Sequence, residues 1–223
     1  MLDLRDWLLR LVADTLAREG SVDGTHDIDH IARTMALAET LHTREGGDLP
    51  TILAAVALHD IGQERERRDG GDHALIGAEM AAELLTDTQF PQAAIPAVQR
   101  AIREHRTTGA IRPLPMEGRI VYDADKLDSL GAVGIARLYC ITGLLGQRVY
   151  ARTPDDLPRP TDPAVIRQLR KSRDYSSSIE FELLLADLPD QLLTPTGRAL
   201  ARERHDYMRA FFTRLRQEVE GQF

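Results

Sequence analysis

Cysteine and long apolar runs are both scarce in this chain, and each scarcity removes a class of function. A single cysteine, Cys140, leaves no intrachain disulfide and no thiolate-built metal centre, so any metal must be held by imidazole and carboxylate. It lies in the apolar run LYCITGLLG and reads as a small core hydrophobe, not a nucleophile. No stretch approaches the ~20 apolar residues of a membrane span. The first helical segment, Leu2 to Glu19, is interspersed with Asp3, Arg5, Asp6, Arg10, Asp14 and Arg18 in place of a basic start and an apolar run. A cytoplasmic protein with no membrane partner is therefore expected. Lys126 and Lys171 are the only lysines, and at a formal net charge of −7 no strong nucleic-acid binding is expected. A small phosphorylated ligand is compatible with that charge if metal ions or a few arginines offset it. Period-two alternation and internal repeats are missing too, which excludes an antiparallel sheet or a solenoid.

What is present is helical patterning on a length suited to one domain, 223 residues. Apolar residues recur at three- and four-residue spacing from Leu4 to Val12 and from Ile28 to Leu41. The break between them, Gly20 to Thr25, ends on the candidate cap Thr25. Gly46 and Gly47 close the second helix. Pro50 and Thr51 open a third, Ile52 to His59, nearly all apolar and so buried on most sides. The charged segment Gln63 to Asp72 reads as an exposed loop. Helices follow over His73 to Leu85, Ala93 to Arg103 and Glu117 to Tyr139, with Pro113 and Pro115 forcing a break before the last. A Pro-rich loop occupies residues 153–163, and two amphipathic helices, Ser177 to Leu188 and Thr196 to Glu220, complete the chain. The fold class predicted is all-α, a single domain over residues 1–223 with its C-terminal helices packed on the core.

The chemistry concentrates in HDIDH, ALHDIG and RIVYDADKLDSLGAVGIAR. His30 sits on the second helix, with His26 one turn earlier on the same face. His59 and Asp60 end the apolar third helix, about 100° apart, which suits two ligands reaching around one ion. Gly62, two residues on, is expected to take a backbone conformation closed to other residues and end the helix there. Asp125 lies on a segment whose apolar face, Ile120, Val121, Ala124 and Leu127, buries three aspartates and a lysine near the core, costly unless these are paired or metal-bound. Two imidazoles and two carboxylates suit Mn²⁺, Fe²⁺, Co²⁺, Ni²⁺ or Zn²⁺ better than Mg²⁺. Asp27, Asp29, Asp123 and Asp128 either orient a ligating imidazole, cap a helix or pair with an arginine. Arg33 and Lys126 are candidate phosphate contacts and substrate-side catalytic groups. Arg65, Arg67 and Arg68 are either further contacts or, the preferred reading, a solvated run with Glu64 and Glu66.

In this order of His, His-Asp and distant Asp, the sequence resembles the HD superfamily of metal-dependent phosphohydrolases. It is most similar to small stand-alone bacterial members with a DADRLDALGAIGIAR-type segment, here DADKLDSLGAVGIAR, and a closing TPTGRALARERHDYM. The chain departs from that subgroup near Phe181 to Leu185, where the subgroup places a lysine before the leucines. The resemblance implies an HD-domain helical bundle, His30, His59, Asp60 and Asp125 as metal ligands, and activity on a phosphoester or phosphoanhydride, with a nucleotide pyrophosphohydrolase as the narrower form. In two-metal relatives, histidines placed like His73 in HALIGA and His105 in IREHR hold a second ion; otherwise His73 orders a loop and His105 is a surface or supporting group. The implied mechanism has the ion activate and align a water while Asp60 or a nearby carboxylate takes its proton. Trp7, Tyr122, Tyr139, Tyr150, Phe181 and Tyr207 are the aromatics available to stack on a base. Rival readings are a dinuclear iron oxygenase on the same scaffold, which would need His73 and His105, and a non-catalytic nucleotide-sensing module. Oligomeric state stays open.

Overall fold

A computed structural model describes residues 3–20, 27–106, 112–153 and 163–222. Helices account for the regular structure, and among the described residues the only β pairing is one isolated bridge between Arg148 and Ser176. The fold class is all-α. The helices are α1 (Leu4–Glu19), α2 (Ile28–Glu45), α3 (Leu49–Leu58), α4 (Gln63–Asp69), α5 (His73–Leu85), α6 (Ile95–Glu104), α7 (Met116–Asp128), α8 (Gly131–Leu144), α9 (Pro163–Leu169), α10 (Ser177–Glu180), α11 (Leu188–Gln191) and α12 (Pro195–Val219). No single helix among the described residues is long and apolar enough to cross a membrane.

The chain divides into two compact units, Met1–Asp125 with Leu193–Gly197, and Lys126–Leu192 with Arg198–Phe223. In the first, α3 is the central helix and packs against α1, α2, α5 and α6. Thr51 to Leu58 are all buried, which is why a run with hardly a polar residue is stable there. Side-chain caps set the starts of the surrounding helices. Asp27 accepts the His30 N–H at 3.0 Å, Asp48 the Thr51 N–H at 3.0 Å and Asp72 the Ala74 N–H at 2.8 Å. In the second unit α8 packs on α10, and Ala151, Tyr175, Ile179 and Leu183 form a small core.

Several expectations need correction. Gln63 to Asp69 is helix α4, not a loop; it has no buried residue, so its sequence carries no apolar period to announce it. Glu117 to Tyr139 is two helices. They part at Ser129 and Leu130, and Gly131, with φ +76°, takes a left-handed conformation that a glycine accommodates. Ser177 to Leu188 is α10 followed by a π-helical turn, Phe181–Leu185. Cys140 is exposed and is not a core residue. Gly62 has an ordinary helical φ of −81°, so its lack of a side chain serves close packing and not backbone freedom. Thr25, His26 and most of the Pro-rich stretch, residues 154–162, lie outside the described residues.

Candidate metal centre

His30, His59, Asp60, Asp125, His73 and His105 are brought together within the first unit by α2, the end of α3, α7, the start of α5 and the end of α6. His59 and His105 each stand just past the last residue of their helices. The carbonyls of a final helical turn lack intrahelical partners, and each ring uses one. His59 Nδ1 donates to the Val56 carbonyl at 2.8 Å and His105 Nδ1 to the Ile102 carbonyl at 2.6 Å. With the proton fixed on Nδ1, the Nε2 lone pair of each ring is left to face the cluster.

His30 Nε2 and His59 Nε2 lie 3.4 Å apart. Asp125 Oδ1 is 3.7 Å from both, and Asp60 Oδ2 is 3.8 Å from His30 and 3.2 Å from His59. The other oxygen of the same carboxylate, Asp60 Oδ1, faces a second pair: His73 Nε2 and His105 Nε2 are each 3.8 Å away. Asp60 thus divides its two oxygens between two groups of imidazoles. His30, His59, Asp60 and His105 are buried, and the Asp125 side chain is 18% exposed, so one edge of the cluster is open to a ligand.

Two carboxylates and neutral imidazoles in a buried space require a compensating cation. Burial alone would push the His59 ring toward neutrality, but the charges of Asp60 and Asp125 outweigh it and hold its pKa well above the ordinary histidine value. A divalent ion in the same place would supply that charge. The ligand atoms of His30, His59 and Asp125, and separately those of His59, Asp60 and His105, lie within 4.8 Å of one another. Nitrogen and oxygen donors at that spacing fit a divalent metal-binding site, and the donor set does not by itself select the metal.

The weaker candidates separate. Asp27 caps α2. Asp128 pairs with Arg137 at 2.8 Å. Asp123, fully buried, accepts from the Leu193 N–H at 2.7 Å, the Thr194 N–H at 2.8 Å and the Thr194 hydroxyl at 2.6 Å. A Cβ on Gly197 would stand 2.2 Å from the same carboxylate, so Thr194 and Gly197 of the TPTGR segment serve to clasp Asp123. Arg67 pairs with Glu64 within the charged run, while Arg65 and Arg68 are held by Glu19 and Asp69. Arg33 follows His30 on α2 and Lys126 follows Asp125 on α7; both are half-buried. Tyr122 and Phe181 are buried, and Phe181 stacks on Phe212 with centroids 4.8 Å apart, so neither is free to receive a base.

Gly77, Glu66 and Arg106 contribute to the site without having been singled out in the sequence. Gly77 and Gly62 let the end of α3 approach α5, for a Cβ on Gly62 would lie 2.3 Å from the His73 carbonyl oxygen and 2.7 Å from Gly77 N. Glu66, taken as part of a charged run, receives the His73 Nδ1–H at 2.7 Å. Arg106 reaches Asp72 at 2.7 Å and Glu66 at 3.9 Å. The small-residue pair is detectable in principle as Gly in IGQ and HALIGA; Glu66 and Arg106 carry no local signal.

The chain resembles known proteins in sequence and in fold. Residues 27–130 match the HD domain family. The chain is 27% identical over 221 residues to the Bacillus subtilis protein YpgQ, covering 98% of this chain and 93% of that one. The crystal structure of a Bacillus thuringiensis HD-superfamily hydrolase superposes with a TM-score of 0.72 at 27% identity, covering 98% of this chain and 97% of that one. The structure of Bacillus subtilis YpgQ in complex with ADP gives 0.68 at 25% identity, over 96% and 94% of the two chains.

Proposed function

The chain carries an HD domain in the fold of the HD-superfamily metal-dependent phosphohydrolases, and from that premise we propose that it hydrolyses a nucleotide phosphoanhydride, releasing a nucleoside monophosphate and pyrophosphate. The observation that carries this reading is the convergence of His30, His59, Asp60 and Asp125 on one buried space with an exposed edge at Asp125. The ADP held by YpgQ supports a nucleotide as the ligand class.

In this assignment those four side chains hold a divalent ion, with manganese the first choice, and His73, His105 and Asp60 Oδ1 hold a second. A bound ion supplies charge neutralisation at the phosphoryl oxygens and lowers the pKa of water. The chain's own groups do the rest. His59 is held in register by the Val56 carbonyl. Where one ion is bound, the remaining Asp60 oxygen accepts the proton of the attacking water; where two are bound, both its oxygens are ligands and a nearby carboxylate takes that proton, as the new bond to the α-phosphorus forms and the bond to the bridging oxygen breaks, the electron pair leaving with pyrophosphate. Arg33 and Lys126 are assigned to the phosphate oxygens, the first as a bidentate fork and the second as a point charge.

Phosphorus NMR of reactions with a panel of nucleoside triphosphates and phosphate monoesters, under Mn²⁺, Co²⁺, Ni²⁺, Mg²⁺ and reduced iron, tests the reading. Pyrophosphate and monophosphate nucleoside are expected; release of neither from any substrate overturns it. One observation favours a second reading: both His73 and His105 face Asp60 Oδ1, as a dinuclear iron oxygenase would need. Oxygen consumption recorded alongside separates the two, since substrate-dependent uptake without phosphate products belongs to the oxygenase alone.

A further inference from the structure

His73 differs from the other imidazoles of the cluster in how its ring is held. His59 and His105 follow the ends of α3 and α6, where a carbonyl three residues earlier is available to each Nδ1–H. His73 is the first residue of α5, so no helical turn precedes it and no such carbonyl exists. Its Nδ1 is instead 2.7 Å from Glu66 Oε2, a residue of α4. Glu66 accepts only, so the ring carries its proton on Nδ1 and turns Nε2 toward Asp60 Oδ1, 3.8 Å away. Arg106, the neighbour of His105, lies 3.9 Å from the other Glu66 oxygen and 2.7 Å from Asp72, the residue that caps α5. The start of α5 and the carboxylate behind His73 are thereby referred to the same guanidinium.

We propose that Glu66 is the positioning residue of the second ion site: it fixes the tautomer and direction of His73 and, as a charged acceptor, strengthens Nε2 as a donor to the metal. The proposal rests on the two-ion reading above. It also gives α4 a purpose that its wholly unburied sequence does not suggest. A carboxylate behind a ligating imidazole is worth about 10- to 100-fold in metal affinity when removed, and that loss should fall on one ion only.

The test is titration of the metal-free full chain with Mn²⁺, following stoichiometry and affinity for each ion by calorimetry, in wild type, Glu66→Ala, Glu66→Gln and His73→Ala. Glu66→Ala is expected to weaken the second ion by about 10- to 100-fold while leaving the first unchanged. Glu66→Gln, whose amide oxygen still accepts the Nδ1–H, should recover part of that loss. Nitrogen-15 NMR of the histidine rings should show His73 protonated at Nδ1 in metal-free wild type and not in Glu66→Ala. A merely structural role would weaken both ions together and leave no tautomer difference, and that result overturns the proposal. Wild-type affinity for the second ion in Glu66→Ala, with that ion lost in His73→Ala, overturns it while sparing the two-ion reading. Two ions retained by His73→Ala overturns both.

Discussion

Asp60 is the residue on which the centre turns, because its two oxygens face different imidazoles: Oδ2 looks to His30 and His59, Oδ1 to His73 and His105. Asp60→Ala is therefore expected to remove both ions and abolish hydrolysis. His59→Ala should lose the first ion and the activity, and His105→Ala should reduce metal content from about two per chain towards one. Elemental analysis with far-ultraviolet circular dichroism checks all three; a folded Asp60→Ala protein with wild-type metal content would contradict the assignment. The His-Asp pair stood out in the sequence because an imidazole and a carboxylate ending a nearly all-apolar helix have few uses other than holding a metal. Glu66 was not, since its partner lies seven residues on and its neighbours are charged as well. A carboxylate in a charged run shows its purpose only when the backbone sets the opposing ring.

At the scale of elements, the site depends on how closely α3 and α5 approach. Gly62→Ala would place a methyl against backbone atoms that cannot turn aside, 2.3 Å from the His73 oxygen and 2.7 Å from Gly77 N. A loss of at least about 1–3 kcal/mol is expected from such overpacking, with weaker metal binding because His73 moves away from Asp60. Chemical denaturation measures the first, and wild-type stability would contradict the close-approach account. In the second unit the buried Tyr175 hydroxyl donates to Glu180 at 2.7 Å, and Arg170 pairs with the same carboxylate. Burial first, and then the Glu180 charge, push the tyrosine pKa far above its ordinary value. The folded state thus holds this proton more tightly than the unfolded chain does. Its contribution is complete below about pH 10 and is lost as pH rises past that point. Tyr175→Phe should flatten that alkaline decline in stability; identical alkaline arms would contradict it. Helices with a buried face, such as α2 and α5, were readable from periodicity. The helix α4, which has no buried residue, and the π-helical turn at Phe181–Leu185 were not, because neither leaves a periodic apolar signal.

For the whole molecule, the ligands of both proposed ions fall in the first unit, Met1–Asp125 with Leu193–Gly197. An ion bound there and not by the unfolded chain stabilises by mass action, about 2.7 kcal/mol at one hundred times its dissociation constant. Chelation should accordingly lower the melting temperature of wild type and leave Asp60→Ala unmoved. The all-α class was legible from patterning, and the metal chemistry from residue types that the lone cysteine could not supply. The meeting of α2, α3, α5, α6 and α7 at one cluster of side chains is a property of the packed chain, and no local pattern encodes it.

The most direct test of the metal assignment is anomalous diffraction at the manganese edge from crystals grown with Mn²⁺. The account predicts a strong peak within bonding distance of His30 Nε2, His59 Nε2, Asp60 and Asp125, about 2.0–2.3 Å from the donors as for other divalent ions at such ligands. A protein that hydrolyses nucleotide while showing no peak there, or a peak only elsewhere, would contradict it.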